Sequence, residues 1–287
     1  MRTHTQILHE IDQLPGMEEF KSFCNRLVTA SDNARRLFSE RLPLPNLIFA
    51  AAPGCGVTLH ISLLSELLSS LHLLQFTGEE EYFEWALDDE PDAFDRLLKR
   101  IKIAGGFYGQ FRGVVGLDIS GVLDSEAQMD DLDRLMEFVN AHQGRILFIF
   151  VVPSATSRRI IQDLQGLFAS VTPVEVVHMD FPANEARSYV GRKLTERGFT
   201  ITKKATAMLE DAVTRLSTAK GFEGYQTLNS LTDAIIWHRL SSGEMSCASI
   251  DEDDLGFIFA ENGFSSQLKA HAHNINGRHA GFSAREE

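Results

Sequence analysis

Residues 51–58 read Ala51-Ala52-Pro53-Gly54-Cys55-Gly56-Val57-Thr58, a glycine-rich turn between an apolar run and a stretch with helical spacing. The pattern G-x-x-x-x-G-K-[ST] at such a junction (Walker A) builds a phosphate-binding turn, because backbone N–H groups at a helix start converge on the anion. Gly54 and Gly56 keep the turn and its close backbone approach, and Thr58 keeps the hydroxyl that holds Mg²⁺. Ala51 stands at the first glycine and Val57 at the lysine. A hydrogen bond from a charged group contributes about 1.5–3 kcal/mol; Val57 makes none, so phosphate binding is expected to weaken. The competing reading is an ordinary Pro-Gly strand-to-helix turn with no ligand.

The flanks fit the first reading. Pro45-Asn46 punctuates the chain, Leu47-Ile48-Phe49-Ala50 reads as a short buried strand, and residues 58–71 have the spacing of a buried helix. Val114-Val115-Gly116-Leu117-Asp118 is a second apolar strand, ending in an acid, and residues 145–152 form a third. Runs at 71–76 and 174–178 would complete five strands, with helices at 92–104 and 130–141 between them. The predicted fold class is α/β: a parallel five-stranded P-loop sheet flanked by helices, with ligands at the carboxyl ends of its strands.

Three further positions bear on chemistry. Asp118 is placed to hold Mg²⁺ through water beside Thr58. Ile119 follows it, where a water-activating glutamate would stand; general-base help is typically worth about 10²–10⁴-fold. Ser154, after the third strand, is a candidate γ-phosphate sensor, although a capping serine for the helix at 158–167 is the preferred reading. Arg158 and Arg159 either replace a lost cation or form a solvated helix end, and the second is preferred. Cys55 is either a reactive thiol near a helix start or, preferred, a small residue filling the turn.

After Phe181-Pro182 the pattern becomes four amphipathic helices, at 184–197, 203–216, 225–240 and 250–260, separated by glycine-containing breaks. A small all-helical domain after a P-loop sheet is a lid. The expected division is a helical approach segment at 1–41, the α/β domain at 42–182, the lid at 183–262 and a disordered tail at 263–287.

In this order of parts the chain resembles the AAA+ ATPases, in particular the group containing the sporulation stage V protein K family, red-type rubisco activases and type VII secretion ATPases. The resemblance spans about residues 18–259. It rests on residues 47–58, on residues 113–123, on Asp180-Phe181-Pro182 as the step into the lid, and on Gly221-Phe222-Glu223-Gly224-Tyr225 before the third lid helix. It implies a nucleotide site of Pro53, Gly54, Cys55, Gly56, Val57, Thr58, Asp118, Ser154 and Gln226, with Thr58 and Asp118 toward Mg²⁺ if nucleotide binds. It also implies arginines that are missing: the sensor 2 region has Gln226 and Asn229, and the arginine-finger stretch reads Leu164-Gln165-Gly166-Leu167-Phe168. An arginine finger alone is worth about 10³–10⁵ in rate.

With lysine, glutamate, finger and sensor arginine all replaced, the expectation is a catalytically impaired AAA+-like protein, or pseudo-ATPase. It would bind ATP or ADP with Mg²⁺ weakly or not at all, and act as a regulatory or structural subunit through a protein partner, either an active AAA+ paralogue or further copies of itself. The alternative is an active ATPase remodelling protein substrates in a ring, its missing groups supplied by neighbours. A kinase or other transferase is disfavoured by the lid and the lack of another base.

Composition sets outer bounds. The formal net charge of −13 over 287 residues argues against a general nucleic-acid binder, which needs clustered Lys and Arg. No apolar run reaches the length of a membrane span and no leader-like stretch opens the chain. Three cysteines, Cys24, Cys55 and Cys247, indicate neither disulfides nor zinc, so a reducing, cytoplasmic location is expected. Tyr82, Phe83 and Trp85, interleaved with Glu81 and Glu84, lie where the resemblance implies a pore loop, without its aromatic-aliphatic-glycine step. Gly105-Gly106-Phe107-Tyr108-Gly109-Gln110-Phe111 reads as a loop with exposed rings or a packed hairpin. Helices are expected at 5–14, 17–29 and 34–41, the last capped by Ser31-Asp32-Asn33. His271, His273 and His279 in the tail suggest no fourth ligand for a metal.

Overall fold

The computed structural model describes residues 2–37, 42–76, 80–87, 92–106, 110–124, 128–169, 173–182, 186–219, 221–241 and 248–274. The chain divides into a sheet unit, chiefly Met1–Ala52 and Val57–Asp180, and a helical unit, Pro53–Gly56 with Phe181–Arg278.

In the sheet unit, β1 (Asn46–Ala51), β2 (Tyr82–Ala86), β3 (Gly113–Asp118), β4 (Ile146–Pro153) and β5 (Val174–Met179) form one sheet in the order β2-β3-β4-β1-β5. Every pairing is parallel, which requires helical crossovers and covered faces. The helices are α1 (His4–Asp12), α2 (Glu18–Leu37), α3 (Val57–Ser70), α4 (Ala93–Ala104), α5 (Ser120–Asp124), α6 (Gln128–Ala141) and α7 (Arg158–Ala169). One sheet face supplies Ile48, Ala50, Phe83, Val115, Leu117, Phe148, Phe150 and Val152, packed against Leu97 and Ile101 of α4, Leu135 and Val139 of α6, and Leu164 and Phe168 of α7. Phe150 and Phe168 stack at 4.1 Å. On the opposite face Phe49 meets Phe20 of α2 edge-on at 6.0 Å, and Phe20 meets His60 of α3 at 4.8 Å.

The second strand is not the predicted run at 71–76. There α3 ends in a Schellman turn: His72 takes the left-handed conformation (φ 54°), its N–H donates to Ser69 O and that of Leu73 to Leu68 O, both at 3.0 Å. Leu71, buried, and His72 close the helix end, and residues 73–76 follow it without forming a strand. The strand is Tyr82–Ala86, at the edge of the sheet, and so Tyr82, Phe83 and Trp85, at the position where the resemblance implies a pore loop, lie within the sheet. Phe83 is buried against Phe111 at 5.2 Å, so Phe111 is packed rather than exposed; residues 107–109 lie outside the described residues. α2 runs unbroken through Ser31-Asp32-Asn33, predicted as a cap, with Ser31 buried.

The helical unit holds α8 (Tyr189–Glu196), α9 (Lys203–Leu216), α10 (Gly224–Ser241), a 3-10 helix (Asp253–Phe259) and α11 (Phe264–Asn274). Val190, Leu194, Leu209, Val213, Leu228, Leu231, Ile235, Leu255 and Ile258 form its core. It is not purely helical, because β6 (Thr200–Ile201) pairs in parallel with β7 (Ser249–Ile250). Thr202 then caps α9 by accepting the Ala205 N–H at 3.1 Å. The tail expected to be disordered from 263 continues as α11 to Asn274; residues 275–287, including His279, lie outside the described residues. Among the described residues no helix is long and apolar enough to cross a membrane, and no cluster of three or more His, Cys, Asp or Glu is placed to hold a metal.

Candidate functional site

The carboxyl ends of β1, β3 and β4 adjoin. Asp118 pairs in register with Val151, Ala51 with Pro153, and the Ser154 N–H donates to Ala51 O at 3.0 Å. Ser154 is therefore fixed by its backbone just beyond β4. Ser157, not Ser154, caps α7, accepting the Ile160 N–H at 3.3 Å; the capping assignment moves three residues on. Arg158 and Arg159 are exposed, and Arg159 pairs with Asp163 within α7.

Asp118 is buried, and its Oδ1 accepts the Ser120 N–H at 2.9 Å. Ile119, where the water-activating acid would stand, is fully buried in the sheet core. Val57, at the lysine position, opens α3 with 5 % exposure. Both side chains thus contribute apolar packing. Thr58 is exposed, and its hydroxyl donates to Glu84 Oε2 at 3.0 Å.

Glu84 is the residue that sequence reasoning missed. In β2 it pairs with Gly116 while Ala86 pairs with Asp118, and because side chains alternate along a strand, Glu84 and Asp118 share one sheet face. Burial pushes the Glu84 carboxyl up to about 7, with the Thr58 hydroxyl pulling it partly back. Its Oε1 is buried without a hydrogen-bond partner. The available signal was a lone acid inside an alternating aromatic run. Thr58, Asp118 and Glu84 are oxygen donors of the kind Mg²⁺ takes, but the set contains no cation for a phosphate.

The turn Pro53–Gly56 belongs to the helical unit. Gly54 and Gly56 have φ of 69° and 86°, a conformation that glycine adopts without steric cost. Gly54 O accepts the Tyr225 N–H at 3.0 Å. The contact is backbone on backbone: a Cβ on Gly54 would lie 1.7 Å from Glu223 O, and one on Gly224 would lie 2.5 Å from Gly54 O. Cys55 is buried and Pro53 exposed. Gln226, in the first turn of α10, lines a cavity of about 330 Å³ with Glu223, Thr227 and Gln267, and Asn229 Oδ1 accepts the Tyr189 hydroxyl at 2.9 Å.

No family model matches the chain, and no curated protein matches it. Among solved structures it is similar to a variant of RuvB from Thermotoga maritima, with a TM-score of 0.51 at 15 % identity, covering 85 % of this chain and 69 % of that one. At this identity the likeness concerns the fold: a five-stranded parallel P-loop sheet flanked by helices.

Proposed function

We propose that this protein is a catalytically impaired AAA+-type protein that acts as a regulatory or structural subunit, binding ATP or ADP with Mg²⁺ weakly or not at all. The observation that carries this reading is the burial of Val57 and Ile119, because side chains there serve the core where lysine and glutamate would serve the phosphates. A protein partner, either an active paralogue or further copies of this chain, then supplies the setting in which the retained fold is useful. The test is a titration of fluorescent ATP and ADP with Mg²⁺, with phosphate release followed alongside. Weak or no binding and no release are expected, and turnover at rates ordinary for AAA+ ATPases would overturn the reading. Mixing with an intact paralogue should raise the sedimenting mass, and unchanged monomers in every mixture would count against assembly.

One observation favours a second reading, an active ATPase. Glu84, hydrogen-bonded to the P-loop hydroxyl and titrating near neutrality, has the properties of a general base. In that case phosphate release by the wild type would be lost in Glu84→Gln.

A further inference from the structure

The amino-terminal edge of the sheet, opposite the strand ends discussed above, contains a cavity of about 400 Å³, within the usual size range of small-molecule sites. Arg145 precedes β4 and Arg112 precedes β3, and both line it. Phe148 and Val139, both core residues, and Leu44 and Leu73 give it apolar surface. Among the described residues none that lines it is an Asp or Glu, although the chain has 40 acids against 27 Lys and Arg. Two arginines thus line one cavity in a chain whose formal net charge is −13.

Neither arginine has an acidic partner among the described residues. Arg145 is held by a hydrogen bond from Nη2 to Ala141 O near the end of α6, at 2.7 Å, which positions its planar fork and leaves other N–H groups uncommitted. Arg112 is half-buried, and no hydrogen bond or ion pair engages it among the described residues. A partly desolvated guanidinium without a counter-charge is costly, and an entering anion relieves that cost through charge-assisted, bidentate hydrogen bonds.

We propose that this cavity is a binding site for a small amphiphilic anion, with a carboxylate or phosphate head held by Arg112 and Arg145 and an apolar body lying along Leu44, Leu73, Val139 and Phe148. The site is independent of the P-loop and of the proposed function.

The test is calorimetric titration of the full-length protein with octanoate, octyl phosphate and octanol, each below its critical micelle concentration. Saturable binding of at least one octyl anion is expected, with octanol much weaker; the preferred anion distinguishes a carboxylate ligand from a phosphate one. Arg112→Gln should weaken that binding by about tenfold or more, the loss of one charge-assisted hydrogen bond. Arg112→Lys, which keeps the charge but not the fork, should be intermediate. Thr58→Ala should bind as the wild type does, which separates this site from the P-loop. Octanol binding as tightly as the anions, no saturable binding of either anion, or undiminished binding by a folded Arg112→Gln variant would each overturn the proposal.

Discussion

Glu84 shows how one side chain in a familiar scaffold acquires unusual chemistry. Its folded carboxyl titrates near 7 against an ordinary value of 4.5 because burial disfavours the ionised form. Between those two values the folded chain binds more protons than the unfolded chain, so this group's contribution to stability falls as pH rises through the window and is then constant above it. Glu84→Gln should therefore raise the melting temperature above pH 7 and leave it unchanged below 4.5, as followed by thermal melts across pH. Thr58→Val removes the hydrogen bond that stabilises the carboxylate, so the Glu84 pKa should rise further, an effect readable by carboxyl-carbon NMR. At Gly54, the left-handed φ of 69° and the 1.7 Å approach of Glu223 O leave no room for a side chain. Gly54→Ala should lose at least about 1–2 kcal/mol from the left-handed conformation alone, before the clash is counted, measured by urea unfolding.

At the end of β3 the residue after Asp118 is apolar and buried. Ile119 shares the sheet core with Val122 and Leu117, so a glutamate placed there would be a buried, unpaired carboxylate. Ile119→Glu should cost about 3–5 kcal/mol, visible as a lower urea midpoint. In the helical unit, α10 and the 3-10 helix are joined by Arg239 and Asp254, whose charged atoms lie 3.5 Å apart with both side chains largely buried. Asp254 also accepts the Asp251 N–H at 3.0 Å. Arg239→Met leaves that carboxylate without its main counter-charge and should destabilise the unit by about 3–5 kcal/mol, seen as lost helical circular dichroism at lower temperature. Elements with strong periodicity were legible: α9 has its expected bounds, and β1, β3, β4 and β5 shift by a residue at most. β2 was not, because only Phe83 of its five residues is fully buried, whereas the helix end at Leu71 presented a denser apolar run.

Over the whole molecule, the sheet and helical units each have their own apolar core. The fold is that of a P-loop sheet of the kind found in RuvB. A formal net charge of −13 opposes contact between copies at low ionic strength and less so once salt screens it. If copies associate through apolar faces, the sedimenting mass should rise between low and moderate salt; a mass that falls would place attractive ion pairs at the contact instead. Trp237 and Leu240 of α10 are the large apolar side chains that the helical unit leaves exposed among the described residues.

Four of the five sheet strands, the glycine turn and the valine at position 57 are properties of the sequence, since hydrophobic period and the demands of left-handed glycine act within a few residues. The partnership of Thr58 with Glu84, the clasp between Gly54 and Tyr225, and the meeting of Arg112 with Arg145 depend on parallel strands and packed segments bringing together residues from 26 to 171 positions apart. Burial and charge at those places are set by neighbours distant in the chain, and only the tertiary structure decides them.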